Sequence, residues 1–138
     1  MALTGLALAT TIRTTRMEAI KTAIDAGAGP GTIKFYTTPL PATTGAAITT
    51  QTLLGTLTMT DPCGSVTSGV LTFASISDDI SADATGTIAF GRIADSAGTF
   101  VLDGTAGTSG AVFIFNTVAA VSGGVIRVLS ASLTDSNA

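Results

Sequence analysis

From Gly31 onward, apolar residues recur at every second position in short runs broken by Gly, Pro, Asp and Ser. A period of two puts successive side chains on opposite faces of an extended chain, so these runs read as half-buried β-strands. "TIKFYT" places Ile33 and Phe35 on one face and Lys34 and Tyr36 on the other. "LLGTLTMT" sends Leu57 and Met59 one way and Thr56, Thr58 and Thr60 the other, and "GVLTFASI" opposes Leu71 and Phe73 to Val70, Thr72 and Ala74. "TIAFGRI" carries Ile88 and Phe90 in register, "TFVLDG" is a return strand, and "AVFIFN" opposes Val112 and Ile114 to Phe113 and Phe115. In "GGVIRVLSASLTD" either Ile126 and Val128 or Val125 and Leu129 point inward.

The interruptions are turn chemistry. Pro39 and Pro41 exclude "PLPATTG" from a central strand. "DPCG" turns the chain at Asp61 to Gly64, "SDDISADATG" is a polar crossover, and "TAGTSG" is a further turn. "ADSAG" separates two alternating runs at hairpin spacing, with Gly98 free to take a positive φ. About seven or eight strands with a turn signal roughly every ten residues predict an all-β domain over residues 28–138, a β-sandwich or jelly roll. Alternation assigns its core to Phe35, Leu57, Phe73, Phe90 and Phe113 or Phe115.

Ahead of the strands the pattern differs. Met17, Ile20 and Ile24 follow helical spacing and "GAGPG" stops the helix, which predicts one short helix over residues 12–27. Asp25 is badly placed for the dipole at its C-terminal end. Residues 1–11 are small, apolar and Thr-rich, an N-terminal arm with no place in a sandwich core. Arg13 and Arg16 stand in the first sixteen residues with no acid among them. The stretch through Arg16, which extends up to roughly 50 Å, is expected to order on a neighbouring subunit, with Arg13 and Arg16 as its partner-binding residues.

Composition excludes several functions. A net charge of -3 and a pI near 4.4 argue against nucleic-acid binding, which needs a basic face. No apolar run approaches the roughly 20 residues of a membrane span. Cys63 is alone, so no intrachain disulfide forms, and no His exists to activate it. The arginines of "MALTGLALATTIRTTR" follow its apolar stretch instead of preceding it, unlike a signal peptide, so the chain is expected to stay in the cytoplasm where it is made. Asp78, Asp79 and Asp83, or Asp95 and Asp103, are the carboxylates that could pair for hydrolysis, and they read as solvated turn residues, not as catalytic pairs. "SDDISAD" lacks the regular acidic spacing and closing Glu of a calcium loop. "GAGPG" follows a helix instead of opening one, which rules it out as a phosphate loop. No enzyme, metal or cofactor is therefore expected. With charged residues at 11% and a mean hydropathy of +0.58, the weakly charged surface is expected to be covered by partners.

The runs "DAGAGPGTIKFYT", "TLLGTLTMTDP" and "ISADATGTIAFGRIADSAGTFVLDGTAGTSG" also resemble a group of small tailed-phage and prophage proteins, in an order that matches from about Met17 to Thr134. Members placed in virions are similar to capsid cement (decoration) proteins with jelly-roll-like folds. The resemblance implies a virion protein on the capsid exterior, made in the host cytoplasm. Its implied partners are the major capsid protein and further copies of itself, as a homodimer or homotrimer on local symmetry axes. The other structural reading is a tail- or fibre-associated module that binds a host glycan, which would call for exposed aromatic side chains.

Overall fold

The computed structural model describes residues 7–135; residues 1–6 of the expected arm lie outside the described residues. The helix, α1 (Thr10–Ile24), begins earlier than 12 and ends before 27. Arg13 and Arg16 are therefore helical residues and not part of an extended arm. Met17 and Ile24 are buried and Ile20 packs against the same core, as their spacing requires. Asp25 follows the last turn, where the helix dipole disfavours an anion. Two contacts relieve it: Lys21 Nζ lies 3.2 Å from Oδ2, and the Cys63 N–H donates to Oδ1 at 2.7 Å.

The strands are β1 (Thr32–Tyr36), β2 (Leu53–Thr58), β3 (Gly64–Thr67), β4 (Val70–Phe73), β5 (Gly86–Thr87), β6 (Phe90–Ala94), β7 (Phe100–Gly107), β8 (Phe113–Ile114), β9 (Ala119–Ala120) and β10 (Ser130–Thr134). Eight of them form one curled, mixed sheet in the order β2-β1-β6-β7-β8-β10-β4-β3, a half-barrel. β5 and β9 make a separate two-stranded ribbon. One continuous sheet thus stands where two facing sheets were expected. The long β7 belongs to both halves: it pairs antiparallel with β6 and, at Ala106 and Gly107, parallel with β8.

The packing explains several glycines that turn chemistry alone does not. Phe35 lies opposite Gly55 on one side and Gly91 on the other, and Gly91 lies opposite Gly104. This row, Gly55-Phe35-Gly91-Gly104, leaves floor space that the Phe35 and Phe113 rings fill at Gly91 and Gly104, while Ile126 and Asp79 fill it at Gly55. A Cβ on Gly91 would come within 2.6 Å of the Phe35 ring and 2.9 Å of the Phe113 ring; one on Gly104 would also meet Phe113 at 2.9 Å. Phe35 makes edge contacts with Phe113 and Phe115, with ring centroids 5.3 and 5.0 Å apart. Both Phe113 and Phe115 are core residues, where only one was expected.

Phe90 is buried too, but on the other face. It pairs with Tyr36 across β1 and β6, and their rings stack at 5.4 Å. Ile88 sits in the main core and Phe90 does not, because the chain passes from the β5-β9 ribbon into the large sheet between them. The two-residue alternation does not survive that passage. The loop of residues 37–52 packs beside this second face: Arg92 Nη2 donates to the Ala46 carbonyl at 2.9 Å, and Gly45 lies against Phe100.

Candidate interaction surface

The helix places the two arginines at the end of β10. Asp135 is 8% exposed; its carbonyl accepts from Arg13 Nη1 at 3.3 Å and its Oδ2 lies 3.1 Å from Arg16 Nε. The latter is a charge contact without hydrogen-bond alignment, since Oδ2 has no aligned donor. Asp135 N–H donates to Gly69 O, and Gly69 N–H to Thr14 Oγ1, so helix, hairpin turn and last strand are tied together. Arg16, expected to stand without an acidic partner in this chain, thus has one in Asp135, whereas Arg13 donates to the backbone carbonyl of the same residue, 122 positions away. Arg16 keeps about half of its side chain in solvent.

The acidic loop is more engaged than solvated turns would be. Asp78 accepts from Arg127 Nη2 at 2.7 Å and Nε at 2.9 Å, which holds its carboxyl below the usual range. Asp79 Oδ2 accepts the Thr56 N–H and Oδ1 the Ser81 N–H, each at 2.9 Å. The Ser77 N–H donates to Thr58 O and the Asp83 N–H to Leu54 O, both at 2.8–2.9 Å. These bonds seal the outer edge of β2. Asp83 alone of the three exposes its side chain. Asp95 Oδ1 caps its hairpin by accepting from Ala97 and Thr99, and Asp103 forms a two-pronged pair with Arg92 at 2.7 and 2.9 Å. The carboxylates of Asp78, Asp79, Asp95 and Asp103 each have a structural task. Among the described residues no group of three or more His, Cys, Asp and Glu could hold a metal ion. Burial, with Asp25 adding to it, pushes the Cys63 thiol up to about 12, far from a nucleophile at neutral pH.

The fold also leaves several large apolar side chains exposed. Residues 79–82 pair with residues 123–126: Asp79 and Ile126 exchange backbone bonds at 3.1 and 2.8 Å, and Ala82 N–H donates to Gly124 O. Ile126 turns into the core, so the neighbouring pair Ile80 and Val125 faces outward, at 78% and 60% exposed. Val121, at 63%, sits at the tip of the same ribbon, where Gly124 N–H donates to its carbonyl. Val125 and Leu129 (59% exposed) line a groove of about 490 Å³ whose floor includes Ile88 and Phe115. The inward pair in the last segment is therefore Ile126 and Val128, not Val125 and Leu129. Arg127 shares parity with Val125 and Leu129, and a cation there was the sequence signal that this face looks outward. Ile80 gave no such signal, lying in a loop of polar residues.

No family model, curated protein or solved structure matches this chain in comparisons with known proteins.

Proposed function

We propose that the protein is a structural virion component, a cement protein that seats on the exterior of a tailed-phage head, bridges major capsid protein subunits and self-associates as a dimer or trimer. The observation that carries this reading is the exposed apolar surface of Ile80, Val121, Val125 and Leu129 on an internally braced β module. Contiguous exposed apolar groups on a soluble domain mark surfaces that partners cover. The acids and arginines that would otherwise advertise chemistry are spent on holding loops and edges in place. The curled sheet encloses one core to which residues of β1, β2, β4, β6, β8 and β10 all contribute, which supports reading the module as a rigid shell component.

A glycan-binding tail module is less well supported. Among the described residues no aromatic side chain is exposed: Phe100 is half-buried, and Tyr36 and the other five phenylalanines are buried. Sugar stacking would need such a ring. The test is reconstitution on heads purified without the protein. Val125→Asp and Leu129→Asp replace exposed residues, so the isolated variants should melt like the parent while occupying heads poorly. Full occupancy by both variants would refute the role given to this surface.

A further inference from the structure

The two edges of the large sheet are treated differently by the chain. β2 at one edge is sealed by Ser77, Asp79 and Asp83. β3 at the other edge pairs only with β4, through a two-residue turn at Ser68 and Gly69 with φ of 50° and 78°. In such a hairpin the closing pair is hydrogen-bonded and the bonded pairs alternate along the ladder. Thr67-Val70 closes this one, and the Ala74 N–H donates to Cys63 O, so residues 63, 65 and 67 face β4. The N–H and C=O of Gly64 and Val66 therefore point away from the sheet. Neither residue has a hydrogen-bond partner on that side among the described residues.

Edges of this kind are normally blunted by charge, proline, a bulge or a covering segment. From Gly64 to Phe73 there is no charged residue and no proline, and although α1 packs against the β3–β4 hairpin, among the described residues nothing takes up the outward N–H and C=O groups of Gly64 and Val66. We propose that β3 is the self-association edge, and that two copies pair their β3 strands antiparallel about a two-fold axis centred on Ser65. The register follows from which groups are free. With Ser65 opposite its symmetry mate, Gly64 faces Val66 of the second copy and Val66 faces its Gly64. The two pairs exchange four N–H···O=C bonds and leave no outward donor or acceptor of these residues unmatched. The occupant is a second copy for two reasons. An uncharged edge meets an identical edge without repulsion. Among the described residues the large sheet has one open edge, which closes as an isologous pair, whereas two open edges would propagate as a fibre.

This inference rests on the self-association part of the proposed function and gives it a surface and a symmetry. Its test needs no phage heads, so its failure leaves the capsid contact untouched. Directly opposed residues in a non-hydrogen-bonded antiparallel pair have Cα atoms about 4.5 Å apart, within disulfide range. Ser65 is exposed, whereas the native Cys63 is buried. Under mild oxidation the full-length Ser65→Cys protein should give a covalent dimer on a non-reducing gel. In a Cys63→Ala background, which removes the thiol that the register sets opposite residue 67, Thr67→Cys should not, because the two copies of residue 67 lie four positions apart along the strand. In parallel, sedimentation of the unmodified protein should show a dimer. Val66→Pro, which removes an outward N–H, and Ser65→Lys, which opposes two cations, should each raise its dissociation constant about tenfold or more. A monomeric parent, equal cross-linking at 65 and 67, or an unchanged dimer in both Val66→Pro and Ser65→Lys would each overturn the proposal.

Discussion

Gly104→Ala is the most informative single change in the core. Gly104 needs no glycine-only backbone angle, so alanine is excluded there by space alone. Its Cβ would stand 2.9 Å from the Phe113 ring and 3.1 Å from Val112 Cγ1, closer than carbon atoms pack. Phe113 is fully buried between Phe35 and this floor and has little room to move aside. Overpacking of this kind costs about 1–3 kcal/mol, against which the lower unfolded-state entropy of alanine returns only about 0.4–1 kcal/mol. Phe113→Ala alone should cost about 3–5 kcal/mol through the cavity it leaves. In the double variant the new methyl no longer meets the Phe113 ring, which leaves only the Val112 contact. Urea unfolding followed by far-UV circular dichroism should therefore give a loss for the pair smaller than the sum of the singles, by about 1–3 kcal/mol. Strict additivity, or a Gly104→Ala protein as stable as its parent, would refute the placement of Phe113 over the glycine row.

Other consequences are as direct. Phe90→Ala should cost about 3–5 kcal/mol, as for a core ring, and should also speed proteolysis within residues 38–51, the loop beside its face; parent-like melting would mean the Tyr36-Phe90 stack is absent. Asp79→Ala strips the acceptor from two backbone N–H groups and should lower stability by about 1–3 kcal/mol, read by denaturant titration. Chelator should leave the melting temperature unchanged, and a fall restored by Ca²⁺ would show a metal at the acidic loop. Asp78 is held below its ordinary 3.8 by Arg127, so its contribution is present above that value and lost as pH falls through the lower, folded one. Asp78→Asn should therefore flatten the acid limb of the melting temperature against pH below about 4, and an unchanged limb would count against the pair.

Strands and most of their faces were legible because alternation reports local burial, which is why Phe35, Leu57, Leu71 and Phe73 lie where the pattern puts them. Phe90 shows the limit. Its face depends on a change of pairing partner between Thr87 and Phe90, a tertiary event with no local signature. Pattern reading counts strands but does not see which ones pair, so one curled sheet and two facing sheets look alike in sequence. Arg13 and Arg16 looked unpartnered for the same reason: Asp135, whose carboxylate meets Arg16 and whose carbonyl meets Arg13, is distant in the chain and adjacent in space. The aspartates of the "SDD" loop read as solvated because composition records polarity but not whether a neighbouring edge strand needs acceptors.

The central claim, a shell protein held by its apolar face, is tested most directly by counting. Cement proteins follow the lattice of the shell, so quantitative mass spectrometry of purified particles should find the protein at hundreds of copies, in fixed ratio to the major capsid protein and on heads separated from tails. Copies numbering about a dozen to a few dozen and following the tail fraction, or absence from particles altogether, would contradict it.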